Sequence, residues 1–307
     1  MAVQAGGVAE SDVLSQHAQE YASAARRHRA FGITKGLAAY ATLSIFALIA
    51  IVPFLYLLSP SFRKSYELFS YPPKWIPSSL YTGNFGTILH QTSYPRWALN
   101  TLIFATSVTV ITLIIDTLAG YAFARLRFPG RGVLFGLVLG TLMIPTAVLI
   151  APLYIMISRL PGWTHSGINT YPGMILPMVC SPLGVFMMRQ FISTLPEALV
   201  EAARLDGGSE WLIFRKIVLP LMKPAIVVLG IFTFMAQWVN FLWPLIITTT
   251  NDMKTLTVGV SSLQGQFVTN WGVISAAAVM TMAPVIVIFL MFQRWFVQAS
   301  MAGALKQ

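Results

Sequence analysis

Catalytic and metal-binding equipment is what this chain has least of. A single cysteine, Cys180, stands among 307 residues, which excludes a disulfide framework and a thiolate metal site. The four histidines, His17, His28, His90 and His165, are scattered and never form an H-E-x-x-H pair, and no acidic cluster could hold a metal. The phosphate loop G-x-x-x-x-G-K-[ST] does not occur. Hydrolysis and group transfer therefore lack candidate residues, and the chain is expected to be neither an enzyme nor the owner of a metal or cofactor. Charge is scarce too: 10% of residues are charged against 56% hydrophobic. The net charge of +10 belongs to basic residues beside apolar runs, not to one soluble domain, so it argues for membrane topology and against nucleic acid.

What is abundant is long apolar sequence. Six runs reach the roughly 20 residues that a helix needs to cross about 30 Å of hydrocarbon: Gly36 to Leu58, Ala98 to Ala124, Gly132 to Ser158, Ile168 to Met188, Ala225 to Thr250 and Trp271 to Gln293. They lack the alternation of a barrel strand, and lipid offers no partner to an open backbone, so each is expected as a helix. The fold class is an all-α polytopic membrane protein with six transmembrane helices. About 35 mostly polar residues precede the first run, which is expected to stay as a membrane helix and not be cleaved as a signal.

Orientation follows from Lys and Arg, which accumulate on the cytoplasmic side. With the N-terminus inside, fourteen fall there: Arg26, Arg27, Arg29, Lys35, Arg125, Arg127, Arg131, Arg189, Arg204, Arg215, Lys216, Lys223, Arg294 and Lys306. The opposite side holds six: Arg63, Lys64, Lys74, Arg96, Arg159 and Lys254. Both termini are expected in the cytoplasm. The chain then divides into a tail 1–35, a six-helix domain 36–293 and a tail 294–307. The domain contains an external loop 59–97, whose prolines forbid a long helix, and a cytoplasmic loop 189–224.

That cytoplasmic loop is the most legible stretch. Thr194 and Glu197 stand at capping-box spacing with Pro196 tolerated in the first turn. Glu197 and Glu201 lie early in the helix, where its dipole favours anions, and Gly207-Gly208 can end it with a left-handed residue. Ser209 can cap a second short helix carrying Trp211, Phe214 and Ile217 before Leu219-Pro220 turns the chain back. Ala198, Ala202 and Ala203 admit close approach of another backbone, and Glu201, Arg204 and Asp206 surround them with charge. The loop is expected to fold as helix, glycine turn, helix, with a small-faced docking surface.

Glu201-Ala202-Ala203, then Gly207, Ile217 and Leu219-Pro220, resembles the E-A-A loop of ABC-transporter permeases of the binding-protein-dependent importers at every fixed position. Asn100-Thr101, Gly120 to Gly130, Met143-Ile144-Pro145, Asn240-Phe241-Leu242-Trp243-Pro244 and Gly303-Ala304-Leu305-Lys306 extend the resemblance from about Leu37 to Lys306 and narrow it to the carbohydrate class, the maltose-type six-span permeases. The resemblance implies the type I importer fold in the cell membrane. It also implies a homologous permease as heterodimer partner, an extracytoplasmic binding protein that delivers a sugar, and a cytoplasmic ATPase pair that binds the ATP. It assigns ATPase coupling to Glu201, Ala202, Ala203, Arg204, Asp206, Gly207, Ile217, Leu219 and Pro220. Related permeases carry other small polar solutes, such as polyamines and sugar phosphates. An ion-coupled secondary transporter is the rival from another class, and a membrane-embedded enzyme ranks behind it.

Asp116 departs from the family pattern. A carboxylate in a span costs about 2.5 to 3.5 kcal/mol to insert and normally faces the bundle interior or water. It is either a substrate-path or proton-linked group or a structural one satisfied by Thr or Ser hydroxyls of neighbouring helices. The structural reading is preferred, because no paired base or span histidine accompanies it. A sugar path needs polar groups and aromatic faces exposed to a cavity, and the fifth run offers Gln237, Trp238, Asn240 and Trp243. Gln237 and Asn240, three apart, share a face; ordinary interhelical bonding, with Trp243 as an interfacial anchor, is the alternative. Pro145, Pro152, Pro177, Pro182 and Pro284 are read as kinks, and the polar stretch Thr248 to Asn270 is expected to reach a bound partner.

Overall fold

The structure is a computed structural model that describes residues 35–71, 76–159, 167–266 and 270–304. All regular structure among them is helical. The chain divides into two compact units, Met1–Leu57 and Leu58–Gln307. In the first, helix α1 (Lys35–Ser61) starts; its most apolar window is 0% buried, and Leu43, Phe46, Ile49 and Tyr56 are exposed. A helix that is apolar on every side suits lipid, where no polar face is required.

The second unit begins with the short helices α2 (Ser65–Leu68) and α3 (Gly83–Gln91), as the prolines of the external loop require. The axis of this unit is α4 (Tyr94–Arg125), 32 residues long, which takes Pro95 in its first turn where a missing N–H costs nothing. Pro129 and a left-handed Gly130 (φ 79°) turn the chain from α4 into the next helix.

Three spans expected as continuous helices are broken instead. The third run divides into α5 (Arg131–Thr141) and α6 (Thr146–Ser158), bent by 102° at Leu142 to Pro145. The fourth divides into α7 (Tyr171–Ile175) with a 3-10 turn Leu176–Met178, and α8 (Pro182–Ser193), bent by 47°. Pro145 and Pro182 lie at these breaks, where each removes an N–H from the helical ladder. Pro152 and Pro284, by contrast, are carried inside continuous helices.

After α8 come α9 (Glu197–Leu205), α10 (Glu210–Ile213), a π-helical turn Phe214–Val218 and α11 (Leu219–Leu221). The fifth run follows as α12 (Lys223–Trp238) and α13 (Leu242–Ile247), interrupted at Val239 to Phe241. The α10–α11 segment meets α12 at 76°. A 3-10 turn Asn251–Met253 and α14 (Leu256–Gln266) precede α15 (Trp271–Ala304). The stretch from Thr248 is therefore not a free arm. Leu256, Val258 and Leu263 are buried, and the indole of Trp97 occupies the space a Cβ at Gly259 would need.

α4 packs most extensively against α8 and α12. The α4–α8 pair is parallel and in register at three levels. Asp116 meets Ser181 and Gly184; Gly120 meets Met188, where an added Cβ would lie 2.5 Å from the Met188 Cβ; and Arg125 meets Ile192 and Leu195. Around the Arg125 end Tyr121, Met188, Ile192, Val200, Ile213, Phe214 and Val218 form one apolar cluster. Around the other end Tyr94, Trp97, Trp238, Leu256 and Val273 form another.

Candidate functional site

Loop 189–224 folds as a helical hairpin built on that first cluster. Val200 is 1% exposed and Ile213 also 1%, so α9 and α10 are each tied down by one buried aliphatic. The expected Thr194 cap is not made. Its hydroxyl donates to Phe191 O at 2.8 Å, at the end of α8, and Pro196 stands at the start of α9 instead. Ser209 does cap the second helix, accepting the Leu212 N–H at 3.3 Å. The glycine turn is used at both residues. Gly207 is left-handed (φ 80°), and a Cβ at Gly208 would lie 2.7 Å from Ala203 O, whose oxygen accepts the Gly208 N–H at 2.9 Å.

The outward face of the hairpin carries Glu201, Ala202, Arg204, Asp206 and Gly207, all exposed, with Ala203 half-buried behind them. Ile217 and Leu219 are half-buried against the cluster, and Pro220 is exposed. Two more residues stand in the open on this face: Leu205, which the sequence reading did not single out, 89% exposed, and Trp211, 61% exposed. These large apolar side chains are held in the open although the hairpin has its own apolar base.

Beside it lies a charged chain of contacts that sequence reading missed. Arg204 Nε donates to Glu210 Oε1 at 2.7 Å, and the Tyr121 hydroxyl donates to Glu210 Oε2 at 2.6 Å. The Arg204 guanidinium beside Glu210 holds its carboxyl below the usual carboxylate range. Arg125 Nη2 donates to Ile192 O at 2.8 Å and also to Leu195 O, adding to the backbone bonds that close the end of α8. Arg125, Arg127, Phe128, Glu201, Arg204 and Glu210 line a cavity of about 860 Å³ between α4 and the hairpin. The available signal was spacing, since Glu210 follows the Ser209 cap and Arg204 precedes it by six residues, but nothing local points from either to Tyr121.

The residues expected along a solute path separate into two groups. Trp238 and Trp243 face the protein interior, 6% and 3% exposed. Trp238 Nε1 donates to Thr281 O at 3.0 Å and Trp243 Nε1 to Met174 O at 3.1 Å. They are core residues, which corrects the expectation of cavity-facing indoles and of an interfacial anchor at Trp243. Asp116 is likewise 0% exposed, and its partner is the Ser181 backbone N–H at 3.3 Å, not a hydroxyl. Gln237 and Asn240 are half-buried and joined, Asn240 Nδ2 donating to Gln237 Oε1 at 2.9 Å. Asn240 O accepts the Thr257 hydroxyl at 2.8 Å. Thr257 borders an open groove of about 400 Å³ that also presents Phe241, Ser261, Gln264, Thr281 and Met282. Among the described residues, no ionisable side chain lines this groove.

Residues 116–300 match the family described as "Binding-protein-dependent transport system inner membrane component". The chain is 38% identical over 263 residues to the arabinooligosaccharides transport system permease protein of Halalkalibacterium halodurans, covering 85% of this chain and 92% of that one. It is 37% identical over 239 residues to the sn-glycerol-3-phosphate transport system permease protein of Salmonella typhi, covering 75% of this chain and 83% of that one. Among solved structures it resembles a chain of a bacterial ABC transporter involved in the import of the acidic polysaccharide alginate, with a TM-score of 0.74, 22% identity, and 87% and 97% of the two chains covered.

Proposed function

Because this chain belongs to the binding-protein-dependent transport system inner membrane components, we propose that it is the permease subunit of an ATP-driven importer for a neutral sugar or oligosaccharide. In this reading a second, homologous permease completes the path. An extracytoplasmic binding protein delivers the solute, and a separate ATPase pair binds ATP and docks on the α9–α10 hairpin. The hairpin and both termini face the cytoplasm, in line with the fourteen-to-six split of basic residues.

The observation that carries the coupling role is the hairpin itself. It has a buried apolar base, an outward face of Glu201, Ala202, Arg204 and Asp206, and Leu205 and Trp211 held in the open. Movement of a docked partner would pass through α9 into α8 and, through Glu210, into α4. Glu201→Lys or Gly207→Pro should leave the protein in the membrane at normal abundance and abolish uptake. Normal uptake by both variants would remove the assignment.

The cargo reading rests on the groove. Phe241 offers a flat apolar face and Thr257, Ser261 and Gln264 offer neutral hydrogen-bonding groups, the combination that suits a sugar ring. A phosphate ester or an acidic polysaccharide would call for Lys or Arg, and the groove has neither. ATPase activity of the reconstituted complex should therefore rise with neutral oligosaccharides supplied on the binding protein and stay basal with sugar phosphates. The reverse order would overturn the cargo class while leaving the transporter class intact.

A further inference from the structure

Asp116 belongs neither to the docking hairpin nor to the groove, yet it is the one carboxylate inside the long apolar runs. It is fully buried in the middle of α4. Oδ1 accepts the Ser181 N–H at 3.3 Å, immediately before α8 starts, and the Cys180 thiol lies within hydrogen-bonding reach of the same carboxyl. Ser181 Oγ in turn accepts the Gly184 N–H at 3.2 Å, capping α8. Oδ2 has no hydrogen-bond partner, and it lies so close to Gly184 that a Cβ there would stand 2.0 Å from it. The carboxyl thus occupies the first turn of α8, in space that any other residue at 184 would claim.

Two costs are accepted at this point, a carboxyl within a span and a glycine inside a helix. What the arrangement gains is a fixed position: the start of α8 cannot slide or rotate against α4 without losing the amide contact. Below it, Gly120 and Arg125 hold the rest of α8 in the same register. The contact sits at the lower edge of the 47° break between Leu176–Met178 and α8, so it fixes where α8 starts on α4 independently of the Tyr171 hydroxyl bond to Asn100 that fixes α7 above the break.

We propose that Asp116 is a positioning residue for the coupling helix. It pins the first turn of α8 to α4, so that these two helices move as one body with α9. This rests on the reading of α9 as the ATPase-docking helix.

The test uses the full reconstituted complex, with cysteine-free partner subunits so that Cys180 is the only thiol. Asp116→Ala, Asp116→Asn, Gly184→Ala and the double variant Asp116→Ala/Gly184→Ala are compared by the rate of N-ethylmaleimide labelling of Cys180 and by solute imported per ATP hydrolysed. Asp116→Ala is expected to label faster and to import about tenfold less per ATP, a coupling loss of the size such elements carry. Asp116→Asn keeps a carbonyl oxygen for the Ser181 N–H and should stay close to wild type in both. Gly184→Ala should match Asp116→Ala alone and add nothing in the double variant, where the colliding carboxyl is gone. If Asp116→Ala is lost from the membrane, Asp116→Ser, too short to reach the amide, takes its place with the same expectations.

Asp116→Asn failing as completely as Asp116→Ala would overturn the proposal in favour of a role for the charge or its proton. Faster labelling with unchanged import per ATP would also overturn it, leaving a pin with no bearing on coupling. Failure of the docking reading is separable: Glu201→Lys would then import normally whatever Asp116 variants do.

Discussion

The two ends of α4 are held by different chemistry. At the Tyr94 end the fastenings are mostly neutral amides and indoles bonded to loop carbonyls, with one exposed cationic contact, Arg96 Nε to Asp252 O at 3.2 Å. Asn100 is 0% exposed; it donates to Asp252 O at 2.7 Å and Lys254 O at 2.8 Å and accepts the Tyr171 hydroxyl at 2.6 Å. Trp97 Nε1 donates to Asn251 O at 3.0 Å, and Asn169, in a left-handed conformation (φ 62°), accepts the Thr249 and Thr250 N–H groups. At the Arg125 end the fastenings are charged and partly open to water: Arg125 on the α8 carbonyls, and Arg204 with Tyr121 on Glu210. Buried neutral bonds are costly to break, because each partner is left unsatisfied in a dry place. Half-exposed ion pairs exchange with water at little cost. The difference teaches that the Tyr94 end of α4 is fastened by bonds that are costly to break, whereas the Arg204–Glu210 ion pair beside the Arg125 end can let go and re-form.

The comparison breaks most visibly at the fixed end. Asn100→Ala orphans the Lys254 carbonyl and the Tyr171 hydroxyl, leaves Asp252 O to Arg96 Nε alone, and should cost about 2 to 5 kcal/mol, read as loss of the folded protein in detergent by a thermal-shift assay. Gly259→Ala forces a methyl into the Trp97 indole, 2.1 Å from its ring carbon, and should cost about 1 to 3 kcal/mol in the same assay. If either variant kept wild-type stability, the Tyr94 end would not be the rigid one.

At the other end stability and function should part company. Arg204→Glu and Glu210→Arg should each change the unfolding midpoint little, since exposed pairs contribute under about 1 kcal/mol, but lower import per ATP severalfold. The exchanged double variant should recover part of the loss, and a double variant worse than either single would show that the pair does not act together. pH gives the finest test. Because the folded Glu210 carboxyl is held below its ordinary range, its contribution is complete above that range and is lost only as pH falls through the lower folded value. Coupling through it should therefore be flat between about pH 6 and 8, checked by import per ATP across that window.

Much of the fold was legible in the chain because apolar run length and glycine turns are local signals. The hairpin was readable from Gly207-Gly208 and Ser209, whose roles depend on residues within five positions. The breaks in the third, fourth and fifth runs were not, because Pro145 and Pro182 are tolerated in membrane helices or end them according to what packs alongside. Trp238 and Trp243 were misplaced for a related reason: an indole N–H suits a cavity wall or a buried carbonyl equally, and Thr281 and Met174, which decide the matter, are 43 and 69 residues away. The Thr194 cap failed because α8 runs on to Ser193 and takes that residue as its own end. Tyr121 and Glu210 meet across 89 residues, beyond the reach of any spacing rule.

The Asn100 contacts have a consequence in time. Asp252 and Lys254 follow Asn100 by 152 and 154 positions, so a ribosome adding about 5 to 20 residues per second needs roughly 8 to 30 s to supply them. Throughout that interval a finished helix waits in the bilayer with an unanswered amide, and it is then that a nascent chain offers surveillance proteases their target. Truncation after residue 250 should prolong that wait indefinitely, and pulse-chase turnover would show it as a shortened half-life.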